Sequence, residues 1–167
     1  LRIAFVGAGN MASSIIGGLV QSGHLAANIR AADPFPASLE RLLEIAPVTG
    51  CADNAEAVAN AEVVILAVKP QVMAEAMNSI APAVKANGAL VISIAAGITI
   101  ASMQQRLGDT AAIVRCMPNT PALLGCSASA LYANPRVSDL QREYAQGILG
   151  AVGITRWVPE ESALDAI

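Results

Sequence analysis

The sequence predicts an α/β protein built on a doubly wound, mainly parallel sheet with helices on both faces, and three observations predict it. Short apolar runs alternate with segments of helical period along the chain. The first run, Ile3-Ala4-Phe5-Val6, feeds directly into a glycine-containing turn that opens a helix-period segment. Aromatic residues make up only 3% of the chain, so the core must be built from Ala, Val, Ile and Leu, which suits strands buried between two helical layers. Together these define a Rossmann-type fold.

The elements follow in order. Ile3–Val6 reads as the first strand. Met11, Ile15, Ile16, Leu19 and Val20 share one helical face, and Gly23 stops that helix. Ile29–Ala32 is a second strand, Leu39, Leu42 and Leu43 mark a second helix, and Pro47-Val48-Thr49 a short third strand. Asp53-Asn54-Ala55-Glu56 has the pattern of a capping box opening a third helix. Glu62–Val68 holds the buried run Val63-Val64-Ile65-Leu66, and Met73, Met77, Ile80 and Val84 line the next helix. Ala89–Ile94 is a strand, and Thr99 can cap a helix carrying Ile100, Met103 and Leu107. Ile113–Met117, ended by Pro118, and Leu124–Tyr132 are further strands. Ser138-Asp139-Leu140-Gln141 caps a helix reaching about Leu149, and Ile154–Val158 closes the sheet. Pro159-Glu160-Glu161-Ser162 reads as the opening of another helix, and the chain stops at Ile167, which suggests the beginning of a further unit.

Bulk properties narrow the function. A net charge of −3 supplies no basic surface for nucleic acid or an anionic membrane. No apolar run reaches the ~20 residues of a membrane span without a polar or Gly/Pro break, and no secretory signal precedes Ile3. The expectation is a soluble cytoplasmic protein without nucleic-acid or membrane partners. Cys51, Cys116 and Cys126 show no metal-ligand or redox spacing and read as small buried residues. The single histidine, His24, falls past the first helix, away from any site at the strand ends. No Ser-His-acid set and no metal site are expected.

Such sheets bind ligands beyond the carboxyl ends of their strands, so the residues after each strand carry the argument. In Gly7-Ala8-Gly9-Asn10-Met11-Ala12, Gly7 permits the tight turn, Gly9 lets the backbone approach a pyrophosphate, and Ala12 allows close helix–strand packing. The N–H groups at the helix start then favour phosphate. Asp33, about 20 residues on, can hold the adenosine ribose hydroxyls. Asp33-Pro34, with Arg30 and Arg41 nearby, can equally be a turn that leaves room for a 2′-phosphate. Lys69, in Ala67-Val68-Lys69-Pro70-Gln71, can meet phosphate or substrate charge, or simply be solvated. Ala95-Ala96-Gly97 is small enough for a flat ring to lie against the backbone. In Arg115-Cys116-Met117-Pro118-Asn119-Thr120-Pro121, two prolines hold Asn119 and Thr120 in place, for binding or as a structural turn. Hydride transfer fits this inventory because the cofactor supplies the reactive atom.

These four blocks, in this order, closely resemble pyrroline-5-carboxylate reductases, and the resemblance spans essentially the whole chain. It implies reduction of 1-pyrroline-5-carboxylate to L-proline, the last step of proline biosynthesis, with NADP(H) or NAD(H). It implies that Val6, Gly7, Ala8, Gly9, Asn10 and Met11 hold the pyrophosphate. Asp33 and Asn54 would lie near the adenosine ribose, though Asn54 also fits as a first-turn helix residue. Ala67, Val68, Lys69 and Pro70, with Ala95 and Ala96, would line the nicotinamide side. Met117, Pro118 and Asn119 would face the shared cofactor–substrate cleft, and no catalytic residue is assigned in this chain. It further implies a dinucleotide-binding domain over 1–158, the start of a helical dimerisation domain over 159–167, and a homo-oligomeric parent. Two alternatives stand beside it: a β-hydroxyacid or deazaflavin-linked oxidoreductase of the same class, and a non-enzymatic dinucleotide sensor.

Overall fold

The computed structural model describes residues 1–118 and 127–164. Its elements are β1 (Ile3–Val6), α1 (Asn10–Gln21), β2 (Ile29–Ala32), α2 (Pro36–Ile45), β3 (Thr49–Cys51), α3 (Asn54–Val58) and β4 (Val63–Leu66). They continue with α4 (Met73–Asn87), β5 (Leu90–Ser93), α5 (Ile100–Leu107), β6 (Ala112–Pro118), β7 (Ser127–Ala133), α6 (Asp139–Gly150) and β8 (Gly153–Trp157). Among the described residues these strands form one sheet in the order β3-β2-β1-β4-β5-β6-β7-β8. The first six strands run parallel, β7 is antiparallel to β6, and β8 is parallel to β7. The strand order reverses direction between β1 and β4, which is the topological switch point where such sheets bind ligands.

The side-chain alternation of the strands splits the core in two. Ile3 and Phe5 face one layer, where Ile15, Ile16 and Leu19 of α1, Leu42 of α2 and Ile148 and Leu149 of α6 cover them. Ala4 and Val6 face the other, under Val58 of α3, Met73, Met77 and Ile80 of α4 and Met103 and Leu107 of α5. Each buried aliphatic side chain contributes about 1.5–3 kcal/mol, and both faces of the central strands are dry. That explains why their sequences read as continuous apolar runs.

Local signals set most boundaries. Thr99 caps α5 by accepting the Ser102 N–H. Ser138 and Gln141 form a reciprocal capping box at α6. At α3, Asp53 accepts the Glu56 N–H at 2.8 Å, but Glu56 reaches the N–H of Ala52 rather than that of Asp53. Cys51 and Cys116 are buried free thiols, and Cys126 lies outside the described residues.

Two expectations are corrected. The third strand is Thr49–Cys51 rather than Pro47–Thr49. Pro47 has no N–H for the ladder, and Val48 turns back to the Ala46 carbonyl at 2.9 Å, so pairing with β2 begins at Thr49. The segment after β8 forms a single 3-10 turn over Glu161–Leu164, docked on the sheet by Leu164, rather than the first turns of a helix from Pro159. No helix among the described residues is long and apolar enough to cross a membrane.

Candidate dinucleotide site

Backbone bonds bring together the segments that follow β1, β2, β4 and β5. The Gly7 N–H donates to Ala32 O and the Ala67 N–H to Val6 O, both at 2.8 Å, and the Ile94 N–H donates to Leu66 O at 3.2 Å. The glycine turn therefore sits between Asp33 on one side and Ala67–Pro70 on the other, at the switch point.

The two glycines do different work. Gly7 has φ +104°, and a Cβ there would collide with the carbonyl of Ala67. Gly9 has an ordinary φ of −77°, and a Cβ on it would meet nothing within 4 Å. The space before Gly9 is open, and α1 starts there without a side-chain cap and without an acidic residue in its first turn. The first bond of the helix runs from Ser13 N–H to Gly9 O at 2.9 Å. The amides of Asn10, Met11 and Ala12 precede it and point out of the helix start, together with the positive end of the dipole. This is an anion-accepting cradle that a side chain at residue 9 would fill, and it fits a dinucleotide pyrophosphate.

The other candidate residues fall as follows. The Val6 side chain is buried in the core, so it shapes the turn without facing it. Ala8 is buried, and its N–H donates to Asp33 Oδ2 at 2.8 Å, while Asp33 Oδ1 accepts the Phe35 N–H at 2.8 Å. The carboxylate thus forms the turn; each oxygen keeps a second lone pair able to accept from a hydroxyl. Asn54 opens α3 and donates through Nδ2 to Ser79 Oγ at 3.1 Å, tying α3 to α4. Lys69 and Pro70 are exposed at the end of the loop after β4. Ala95 is buried, with its N–H on Ser93 Oγ at 3.3 Å, and Ala96 is exposed beside Gly97, whose φ is +76°. Met117 is half-buried near the end of β6, and Pro118 is that strand's last residue. Asn119, Thr120 and Pro121 lie outside the described residues. His24 is half-buried beyond α1, with Nε2 3.1 Å from the Leu1 carbonyl, at the opposite end of the sheet. A cleft of about 450 Å³ begins at Ala8 and Asn10 and runs beside α1 past Ser14 and Gly18 to Arg41. Of its lining residues only Ala8 and Asn10 belong to the turn.

One feature of this end of the sheet escaped the sequence reading. Arg115 is buried and forms an ion pair with Glu161 at 2.8 Å. An arginine within the apolar run Ala112-Ile113-Val114-Arg115-Cys116-Met117 demands a partner. That signal was present; the partner, distant in sequence, carries no spacing signature.

The fold and the glycine cradle define a Rossmann-type α/β domain with an anion site at its switch point. The chain belongs to the family described as NADP oxidoreductase, coenzyme F420-dependent, whose model matches residues 2–97. It is also similar to pyrroline-5-carboxylate reductase of Pseudomonas aeruginosa, 51% identical over 99% of this chain and 60% of the relative. Among solved structures it is similar to a pyrroline-5-carboxylate reductase of Coxiella burnetii, with a TM-score of 0.95 at 35% identity, covering 98% of this chain and 61% of that one. The fold is shared with a Plasmodium falciparum pyrroline carboxylate reductase determined with NADP bound, at a TM-score of 0.84 and 24% identity, over 98% of this chain and 59% of the other. The chain spans about three fifths of the length of these relatives.

Proposed function

We propose that this chain is the cofactor-binding part of a pyrroline-5-carboxylate reductase, which reduces 1-pyrroline-5-carboxylate to L-proline with NADPH or NADH in the cytoplasm. The observation that carries the proposal is the uncapped start of α1 at Gly9, open in front and flanked by Asp33 and Ala67–Pro70. The name shared by the relatives supplies the substrate.

In this reading residues 1–158 form the dinucleotide-binding domain, and residues 159–167, whose Glu161–Leu164 turn docks on the sheet, lead into a helical dimerisation unit. The Gly7 and Ala8 amides are already bonded to Ala32 and Asp33. The pyrophosphate therefore takes its hydrogen bonds from the amides that follow, at Gly9, Asn10 and Met11. Val6, Gly7 and Ala8 hold the turn in shape. Asp33 and Asn54 flank the adenosine ribose. Ala67, Val68, Lys69 and Pro70, with Ala95 and Ala96, line the nicotinamide side, the small side chains of Ala95 and Ala96 letting the ring lie close to the backbone. Met117, Pro118 and Asn119 face the cleft shared with the imine.

The bound cofactor supplies a hydride from nicotinamide C4 to the C=N carbon. A protonated imine is already electrophilic, so this domain needs no strong acid or base; its task is to hold the two carbons about 3–3.5 Å apart. We assign the other contacts to the imine, and a homo-oligomer interface, to the length that the relatives carry beyond this chain's span.

The test is calorimetry and imine reduction side by side. The 167-residue chain is expected to bind NAD(P)H and to turn over 1-pyrroline-5-carboxylate poorly, while a protein carrying the relatives' remaining length reduces it. Rapid turnover by the 167-residue chain would refute the division of labour. A second reading, NADP-linked reduction of coenzyme F420, is favoured by the family description; reduction of that deazaflavin but not of the imine by the longer protein would support it.

A further inference from the structure

Arg115 is 2% exposed, and its Nη1 donates to Glu161 Oε2 at 2.8 Å. The same carboxylate oxygen accepts the Ile100 N–H at 2.8 Å. One atom thereby joins three segments. Ile100 opens α5 directly after Ala95–Thr99, Arg115 stands two residues before Met117, and Glu161 belongs to the 3-10 turn seated by buried Leu164. A carboxylate at the start of a helix is also favoured by the dipole.

The position of this junction is informative. The parallel register between β5 and β6 ends with the pair Ser93↔Arg115. Beyond that pair β5 gives way to the loop 94–99, which contains Ala95, Ala96 and Gly97 at φ +76°, while β6 continues against β7. The Arg115–Glu161–Ile100 junction takes over the tie between the two segments where the sheet ladder stops. A buried ion pair is a weak source of net stability, because desolvation offsets the attraction. What it supplies is fixed geometry through charge-assisted bonds.

We propose that Arg115 and Glu161 are positioning residues: their junction with Ile100 holds the loop after β5 against the end of β6 and so sets the wall on which the nicotinamide ring is placed. This rests on reading the site as one for a nicotinamide dinucleotide. Neither residue touches the cofactor; both act through Ala95–Thr99 and Met117.

The test uses calorimetry on the 167-residue chain with whichever of NADPH and NADH binds more tightly, and with the matching adenosine half alone (2′,5′-ADP or ADP). Glu161→Ala is expected to weaken the whole cofactor by about tenfold and the adenosine half by less than about twofold. Glu161→Gln is expected to restore most of the loss, because its amide oxygen still accepts from Ile100 and Arg115. Glu161→Ala removes a charge partner of the buried Arg115 and is expected to lower the melting temperature, so all titrations are run at a temperature where thermal melts show each variant folded. Equal weakening of both ligands, or no weakening of either, overturns the proposal. Wild-type chain that binds neither ligand would instead refute the dinucleotide reading and the proposal with it.

Discussion

The Asp33 carboxylate is bonded to the backbone N–H of Ala8 at 2.8 Å, across 25 residues of sequence. Its other oxygen accepts the Phe35 N–H at 2.8 Å, so the side chain shapes the glycine turn and the entry to α2 together. It also places negative charge beside Ala8, so a ligand phosphate is expected at Gly9–Met11 rather than at Ala8. Removing it affects both stability and cofactor choice. Asp33→Ala is expected to cost about 1–3 kcal/mol in urea melts, the effect of leaving a buried donor unpaired. It should also weaken NADH more than NADPH in calorimetric titrations, since only NADH has a free 2′-hydroxyl on its adenosine ribose; equal weakening would make Asp33 a turn former alone.

The two glycines of the turn separate folding from binding. Gly7→Ala forces a side chain into the left-handed region and against the Ala67 carbonyl. It should destabilise the chain by about 2–4 kcal/mol and lower the melting temperature accordingly. Gly9→Ala meets no atom of the protein, so its stability should change by about 1 kcal/mol or less. Its NAD(P)H affinity should nevertheless fall by about tenfold or more, because the new methyl stands where phosphate approaches the backbone. Calorimetry and thermal melts on the same pair of variants distinguish the two effects.

Asn134 locks the far end of β6 and β7. It is buried, its Nδ2 donates to Ala111 O at 2.9 Å, and its Oδ1 accepts the N–H groups of Ile113 and Arg136, both at 3.2 Å. Asn134→Ala orphans these backbone groups and is expected to cost about 2–4 kcal/mol, read as a lower urea midpoint. Because the site lies at the other end of these strands, the Kd for NAD(P)H of the folded fraction should be unchanged.

Burial pushes the Cys116 thiol up to about 11, from 9.0. At pH 8 only about one molecule in a thousand then carries the thiolate, so native protein should resist alkylation there. Iodoacetamide labelling followed by peptide mass spectrometry should find Cys116 unmodified until denaturant is added. The linkage runs the same way: the unfolded thiol ionises near 9 and the folded one near 11, so the thiol's stabilising contribution is complete below pH 9 and is lost as pH rises towards 11.

Much of this fold was legible because its signals are local. A run such as Val63–Leu66 specifies a strand buried on both faces, and Thr99 and Ser138 mark helix starts within four residues. Gly7 and Gly9 could be read because the same turn geometry is needed wherever a strand enters a phosphate-binding helix. What spacing could not supply was partners. Asp33 offered a ribose ligand or a turn, and only the bond to Ala8 shows that it builds the turn. Arg115 announced a buried charge, but Glu161 lies 46 residues away. Asn134 belongs to no sequence motif; its role comes from the three backbone groups that converge on it. Pro47 misled in a smaller way: the apolar residue beside it belongs to the turn before β3, and the strand begins where an N–H is available.

The most direct test of the account is titration of NADPH and NADH into the 167-residue chain, followed by calorimetry, with the Gly9→Ala variant in parallel. One site per chain is expected, with a Kd in about the micromolar range, competed by the adenosine half of the cofactor and weakened at least about tenfold in the variant. No binding of either dinucleotide by folded chain, or equal binding by wild type and Gly9→Ala, would contradict it.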